Sequence, residues 1–275
     1  MTINCRGKLF SFDRPKVMGI LNLTEYSFFD GGKYHNNPAK YLSRIEKMLR
    51  NGTDIIDIGC MATNPASIEL SEEEELLTVE TVLANIISRF PDVIFSIDTW
   101  RSNIARRAVE MGVAIINDIS GGEFDHEMFE TVKQLNVPYV LMHTSGRPNE
   151  MQHKTQYKDV VKDVFLYLSK RLDVLRQMGV VDVIIDPGFG FGKTIEQNYE
   201  LLKQLSLFKN LGCPILVGVS RKAMFYKLLE ITPQEALNAT TVANAVALLN
   251  GTNILRVHDV KEAVETIRIV SQLSD

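Results

Sequence analysis

Eight short apolar segments recur along the chain, and each carries a polar residue or a glycine at or beside its carboxyl end. They span residues 17–22, 54–59, 95–99, 114–118, 139–143, 183–187, 215–220 and 254–258. Continuous runs of Val, Ile and Leu are typical of parallel strands that are buried on both faces. The residues at their ends are Asn22, Gly59, Asp98, Asn117, His143, Asp186, Ser220 and His258.

Amphipathic helical patterns alternate with these strands. They cover residues 38–51, 71–89, 102–111, 125–135, 156–178, 194–206, 233–250 and 260–273. Eight such units predict an α/β fold, a (β/α)8 TIM barrel, as one domain over residues 1–275. Residues 1–15 precede the first barrel strand, and we expect them to cover the bottom of the barrel as a small hairpin. The polar strand ends would then line one rim, where the loops of such barrels build a site.

The length and composition agree with this architecture and exclude several classes of protein. The 275 residues are close to the roughly 250 that are typical of such a barrel, and no linker interrupts them. The net charge of −4 argues against a broad nucleic-acid or membrane surface, so local cations must hold any anionic ligand. Three widely spaced cysteines indicate reduced thiols. Without a signal-peptide pattern or a long apolar span, we expect a cytoplasmic protein.

Cationic side chains gather at the predicted ends of strands seven and eight. Arg256 and His258 are two residues apart and share one strand face, and Gly218, Ser220 and Lys222 would do the same if their strand continued. Barrels commonly bind phosphate at this part of the rim. The alternative is that Arg and Lys pair with aspartates. We favour phosphate contact for Arg256 and His258, because the inward face of a barrel strand is otherwise apolar.

Acidic and amide side chains end strands three, four and six. A carboxylate such as Asp98 or Asp186 can accept two parallel N–H bonds, while Asn117 offers both a donor and an acceptor. These groups suit the edge of a 2-amino-4-oxo heterocycle. Internal pairing of the aspartates with Lys222 or Arg256 explains them equally well at this stage.

The glycine-rich segment after strand six is similar to a phosphate-binding P-loop but has the wrong spacing. Three residues separate Gly188 from Gly192, where the P-loop motif needs four. We interpret the segment as a flexible loop that brings Phe191 against a ligand ring. For His143, at the end of strand five, we expect a hydrogen-bonded core histidine. The acidic cluster 72–75 follows a Ser71 capping box, and we interpret it as a complement to the helix dipole.

Ordered motifs over nearly the whole chain resemble those of the dihydropteroate synthase family. They are MGILNLTEYSFFDGGKY (18–34), IIDIGCMATNPA (55–66), SIDT (96–99), NDISGG (117–122), VLMH (140–143), DPGFGFGKT (186–194), VGVSRK (217–222) and RVHDVKE (256–262). The resemblance implies an enzyme that condenses 6-hydroxymethyl-7,8-dihydropterin pyrophosphate with p-aminobenzoate, with Mg2+ as cofactor. It also implies a homodimer, and no nucleic-acid or membrane partner.

The resemblance also implies roles for individual residues, with Lys222, Arg256 and His258 carrying the catalysis. The pterin would be held by Asp98, Asn117, Asp186 and Lys222, in a slot lined by Met142, Phe191 and Gly218. The pyrophosphate would meet Thr63, Arg256 and His258, and Asn22 would bind Mg2+. Ser220 would face the p-aminobenzoate.

Two loops depart from the family pattern. Glu25-Tyr26 stand where the family has Pro-Asp, and Asn64 replaces an arginine that contacts pyrophosphate. The changed loops resemble those of sulfonamide-insensitive forms, so we expect an active enzyme with reduced sulfonamide affinity. The alternatives are a non-catalytic pterin-binding paralogue, a methyltetrahydrofolate-dependent methyltransferase, and a Schiff-base aldolase that uses Lys222.

Overall fold

Eight parallel strands close into a barrel in the computed structural model, which describes residues 1–23, 37–60 and 70–273. A hairpin of β1 (Thr2–Cys5) and β2 (Lys8–Ser11) precedes them. The barrel strands are β3 (Lys16–Asn22), β4 (Ile55–Gly59), β5 (Ile94–Asp98), β6 (Ile115–Asp118), β7 (Tyr139–Met142), β8 (Val183–Asp186), β9 (Leu216–Val217) and β10 (Ile254–Val257). Neighbours in sequence pair in parallel, β10 pairs with β3, and a bridge from Ile185 to Ile215 closes β8 onto β9. The predicted TIM-like barrel is confirmed.

Helices surround the barrel. They are α1 (Pro38–Arg50), α2 (Glu72–Ile87), α3 (Ser102–Met111), α4 (Met128–Leu135), α5 (Val160–Gln177), α6 (Ile195–Lys203), α7 (Ala223–Tyr226), α8 (Leu237–Leu249) and α9 (Val260–Val270). The predicted capping box at Ser71 opens α2, and Thr194 forms another at the start of α6. Both satisfy amide groups that the first helical turn leaves unpaired. Within the described ranges, no helix is both long enough and apolar enough to cross a membrane.

An apolar cluster fills the barrel at the end where the strands begin. It contains Met18, Ile55, Ile115, Val140, Ile184, Leu216 and Ile254 from the strands, all of them buried. Ile3, Cys5 and Phe12 of the N-terminal segment pack against the same cluster. Arg6 adds a hydrogen bond of 2.7 Å to the carbonyl of Gly112, at the end of α3. The hairpin therefore covers the bottom of the barrel, and the carboxyl ends of the strands lie at the opposite rim.

The seventh barrel strand is shorter than its apolar run. Only Leu216 and Val217 pair as strand, and the chain then turns through Arg221, whose φ of +54° is unusual for a residue with a side chain. The Arg221 guanidinium donates to both carboxylate oxygens of Asp259, at 2.8 and 3.0 Å, and so ties the end of β9 to the end of β10. The strand therefore does not continue to Ser220 and Lys222, and the condition for a strand face shared with Gly218 is not met. Lys222 instead precedes the short helix α7.

Candidate active site

A buried arginine shared by two carboxylates forms the floor of the barrel mouth. Arg256, on β10, donates from Nε to Asp57 Oδ2 at 2.7 Å and from Nη2 to Asp98 Oδ2 at 2.6 Å. Asn117 joins the group by donating from Nδ2 to the same Asp57 oxygen at 2.9 Å. The structure therefore brings together three of the predicted site residues. The internal pairing of Asp98 with Arg256, the alternative raised from the sequence, is also present.

Asp57 is a site residue that sequence reasoning missed. It lies in the middle of β4, its side chain is fully buried, and its Oδ1 has no hydrogen-bond partner among the described residues. A buried carboxylate oxygen without a donor is costly. The signal was available, because Asp57 lies two residues before Gly59 and therefore shares its inward strand face.

Burial and charge act against each other on these acids. Burial raises the pKa of Asp98, and the Arg256 guanidinium opposes this shift. Arg256 itself has a raised pKa, because the attraction of Asp57 and Asp98 outweighs its own burial. Arg256 and the two carboxylates of the floor thus stabilise one another's charges. Removal of one of these groups would leave the others buried without a balancing charge.

Lys222 and Asp186 face each other across the glycine-rich loop. Asp186, at the end of β8, accepts a hydrogen bond of 2.7 Å from the Gly188 amide, and burial raises the pKa of its carboxyl. Lys222 donates to the carbonyl of Phe189 and lies 4.4 Å from the centre of the Phe191 ring. Burial lowers the pKa of Lys222 to about 8, and the charge of Asp186 limits the fall. Lys222 therefore keeps its positive charge at neutral pH.

The wall of the mouth is apolar on one side. Met142, at the end of β7, is buried with Trp100 and Ile119, and Phe191 packs against this cluster. On the opposite side, Gly218 leaves room beside the Arg256 side chain, 3.8 Å from where a Cβ would lie. An apolar slot over a charged floor suits a flat heterocycle with a polar edge.

Ser220 and His258 lie at the far end of the mouth. The Ser220 hydroxyl is 3.1 Å from His258 Nδ1, although β9 ends before it. Burial and the surrounding cations, Arg256 first among them, lower the pKa of His258 to about 3. A neutral His258 carries one N–H group rather than a positive charge, on Nε2 when Nδ1 accepts from the Ser220 hydroxyl. Arg44, a residue not identified from the sequence, donates from Nη2 to the His258 carbonyl at 2.5 Å.

A small space above Gly59 is bordered by oxygen ligands of the type that Mg2+ prefers. A Cβ placed on Gly59 would lie 3.2 Å from Asn22 Oδ1 and 3.7 Å from Asp98 Oδ2. Protein sites hold Mg2+ through one or two such oxygens together with water and substrate phosphates. No group of three or more His, Cys, Asp or Glu side chains arranged to hold a metal ion by themselves occurs in the described residues. The residues therefore fit a metal that binds with a phosphate ligand.

A buried ion pair anchors the end of the second loop, which sequence reasoning did not find. Glu75 lies in the first turn of α2, as its interpretation as a dipole complement requires, but its side chain is fully buried and has specific partners as well. It accepts from Arg101 Nη1 at 2.6 Å and from Thr99 Oγ1 at 2.9 Å. Arg101 also donates from Nη2 to the carbonyl of Leu70 at 2.7 Å. The predicted Thr63, and the departures at residues 25, 26 and 64, lie outside the described residues.

Comparisons with known proteins agree over the whole chain. A sequence model of the family described as "Pterin binding enzyme" matches residues 18–258. The dihydropteroate synthase of Escherichia coli K12 is 38% identical over 272 residues, which are 98% of this chain and 95% of that protein.

Solved structures give the same result. A Yersinia pestis dihydropteroate synthase, in complex with a sulfonamide drug, superposes with a TM-score of 0.94 at 38% identity, covering 99% of this chain and 98% of its own. A Xanthomonas albilineans dihydropteroate synthase with 4-aminobenzoic acid gives a TM-score of 0.90 at 33% identity, covering 99% of this chain and 97% of its own.

Proposed function

The chain belongs to the dihydropteroate synthase family of transferases, and we propose that it joins 6-hydroxymethyl-7,8-dihydropterin pyrophosphate to p-aminobenzoate. The products are dihydropteroate, for folate biosynthesis, and pyrophosphate. The observation that carries this proposal is the charged floor beneath an apolar slot, in which Arg256 contacts Asp57 and Asp98 and Lys222 lies over Phe191.

The pterin ring lies in this slot and presents its polar edge to the floor. Asp186 accepts N–H bonds from the ring, since its second oxygen is available beyond the contact with the Gly188 amide. Asp98 and Asn117 contact the opposite edge, and Lys222 donates to the ring carbonyl. Met142, Phe191 and Gly218 line the two faces. This arrangement gives every buried carboxylate a donor partner, which burial requires.

The pyrophosphate lies toward Arg256 and His258, with Thr63 as a further contact from the second loop. The Arg256 guanidinium meets the charge that develops on the leaving oxygen, and neutral His258 donates an N–H. Asn22, beside Gly59, would hold Mg2+, and the metal would supply further charge neutralisation of the pyrophosphate. Stabilisation of a leaving group in a buried site contributes several kcal/mol, of the order found for other oxyanion sites.

The reaction is dissociative and needs no nucleophilic side chain. The bond between the pterin methylene carbon and the pyrophosphate oxygen breaks, and its electron pair leaves with the oxygen. The aniline nitrogen of p-aminobenzoate then forms a bond to the cationic methylene and loses a proton. Ser220 faces this second substrate at the rim. The relative from Xanthomonas albilineans, solved with 4-aminobenzoic acid, supports this choice of ligand.

Reduced sulfonamide affinity is part of the proposal and rests on the sequence of two loops. Asn64 replaces a family arginine, and Glu25-Tyr26 replace Pro-Asp. A sulfonamide competes with p-aminobenzoate, so a rebuilt pocket changes the two affinities unequally. Inhibition constants for a sulfonamide, measured against p-aminobenzoate beside a typical family member, test this point. Equal constants would refute it.

A homodimer is supported by an unusually apolar helix. Helix α8 carries no charged residue, and Val242, Val246 and Leu249 are exposed on it at helical spacing, 57%, 36% and 59% respectively. Ile269, on the neighbouring helix α9, is 66% exposed. Apolar residues around a whole helix indicate burial on all sides. We therefore place the dimer interface on α8 and α9.

The direct test is an assay of the purified protein with pterin pyrophosphate, p-aminobenzoate and Mg2+. We expect dihydropteroate and pyrophosphate in equal amounts, and strong loss of turnover in an Asp186→Asn variant. Pterin binding without turnover in the parent protein would instead favour the non-catalytic paralogue. Trapping of Lys222 by borohydride with a carbonyl substrate would favour an aldolase.

A further inference from the structure

A buried lysine and a buried histidine lie beneath the glycine-rich loop, and the proposed reaction does not use them. Lys193 and His143 are each 5% exposed. Lys193 Nζ lies 2.9 Å from His143 Nδ1, 2.7 Å from the Gly188 carbonyl and 3.1 Å from the Phe191 carbonyl. A lysine is seldom buried to this extent without a specific set of partners.

The three contacts use every hydrogen-bonding site of Lys193 Nζ, whether the amine is protonated or neutral. An ammonium group has three N–H donors, for two carbonyls and the imidazole nitrogen. A neutral amine has two donors for the carbonyls and one lone pair for an imidazole N–H. Burial lowers the pKa of Lys193 well below its usual value, and burial with the neighbouring Lys193 lowers that of His143 to about 2. His143 is therefore neutral, and either tautomer completes the set.

The loop to which Lys193 is hydrogen-bonded, residues 188–191, contains Phe191, which lines the slot. Its two anchored carbonyls, of Gly188 and Phe191, bracket the segment whose Phe189 carbonyl accepts from Lys222. The Phe191 ring then lies 4.4 Å from Lys222 Nζ. Lys193 and Lys222 thus hydrogen-bond to different carbonyls of one short loop, and Lys222 is also a predicted pterin-binding residue.

The loop backbone packs closely against neighbouring residues at two glycines. Gly188 has a φ of +71°, and a Cβ on it would lie 1.9 Å from the His143 carbonyl oxygen. Gly190 has a φ of +81°, and a Cβ there would lie 3.0 Å from Lys222 Cδ. Both positive φ values favour glycine, and at Gly188 the backbone of His143 also leaves no space for a side chain. The loop is thus closely packed at Gly188, while the expectation that it is flexible stays a prediction.

We propose that Lys193 and His143 form a positioning pair, which holds the 188–191 loop so that Phe191 and Lys222 fit the pterin. The inference rests on the proposed function of the slot. The pair touches no substrate and acts through the loop. Its loss is expected to weaken binding of the pterin and to leave binding of p-aminobenzoate almost unchanged, because the hydrogen bonds of Lys193 go to His143 and the 188–191 loop, whereas those of Ser220 go to His258.

The test compares Lys193→Met, His143→Leu and the matched control His143→Asn. An asparagine amide offers an acceptor and a donor near the position of Nδ1, whereas leucine offers neither. Titration calorimetry with 6-hydroxymethylpterin pyrophosphate measures binding without turnover, and steady-state kinetics gives separate KM values for both substrates. We expect pterin binding to weaken by about 10- to 100-fold in the first two variants, the scale of a small misplacement of binding groups, and to recover in His143→Asn.

A double-mutant cycle separates positioning from general support of the fold. If Lys193 acts through Phe191, then Lys193→Met costs much less pterin affinity in a Phe191→Ala background than in the parent protein. The proposal is wrong if Lys193→Met and His143→Leu both unfold, if both bind pterin like the parent, or if the two effects simply add. Failure of the parent protein to bind the pterin would instead refute the proposed function.

Discussion

Removal of the Arg256 guanidinium should show how much the stability of the fold depends on its attraction to Asp57 and Asp98. The Arg256→Met variant keeps most of the side-chain volume but leaves Asp57 and Asp98 without their shared cation. Loss of one partner of a buried ion pair costs about 3–5 kcal/mol of the free energy of unfolding. The value applies here because the Asp57 side chain is fully buried and that of Asp98 is 11% exposed.

The loss should depend on pH in a defined direction. Burial already raises the pKa of Asp98, and Arg256 opposes that rise, so the variant raises it further. A folded-state pKa above the unfolded one means that the folded protein binds the proton more tightly. Stability then falls as pH increases from the unfolded pKa toward the folded pKa of Asp98. The deficit of Arg256→Met relative to the parent should therefore be smaller at pH 5 than at pH 8.

Urea denaturation of both proteins at the two pH values measures this effect, with Arg256→Lys as the control that retains a charge. Turnover provides a second readout, since a lost charge-assisted contact of about 1.5–3 kcal/mol corresponds to roughly a 10- to 100-fold lower kcat/KM. A deficit below about 1 kcal/mol that is equal at both pH values would mean that the carboxylates do not depend on Arg256.

Three further predictions concern the loops and the assembly. Asn64→Arg restores a charge-assisted contact and should raise kcat/KM by about 10-fold if pyrophosphate departure limits turnover; no change in the assay would mean that another group already fills this role. Arg101→Met should release the Leu70 carbonyl, raise the KM for p-aminobenzoate and lower the melting temperature, whereas Arg107→Met, at an exposed ion pair, should change neither. Val242→Lys should convert a dimer to a monomer in analytical ultracentrifugation, and an unchanged mass would place the interface elsewhere.

The barrel could be predicted because each of its strands carries its own signal. Strands buried on both faces need apolar residues at nearly every position. Each strand can therefore be recognised in the sequence before the strands that pair with it are known. The end of β9 could not be predicted in the same way. Its strand stops where the chain turns at Arg221, and the contact of that residue with Asp259 spans 38 residues. Only the assembled barrel brings the two together.

The site shows a similar division. Asp98, Asn117, Asp186 and Arg256 were found because strand ends of a parallel barrel meet at one rim. Glu75 was missed because local spacing gives it a sufficient explanation as a first-turn acid, and its burial depends on Arg101, which follows the next strand. Asp57 was missed because attention to strand ends passes over an acid inside the run. To find such residues, it is better to ask which strand positions point into the barrel than which positions stand at the strand end.

On the proposed function, the ion pairs of the floor couple the binding of the two halves of the first substrate. Asp98 is both a partner of Arg256 and a proposed acceptor for the pterin edge, so N–H donors of the ring that reach Asp98 Oδ2 would compete with the guanidinium for this oxygen. A ring that draws Asp98 away leaves Arg256 with only Asp57 to balance its charge. The guanidinium then attracts an anion more strongly, at the end where the pyrophosphate lies. Pterin and pyrophosphate binding would therefore favour each other through Arg256, which gives a physical reason for two carboxylates to share one arginine.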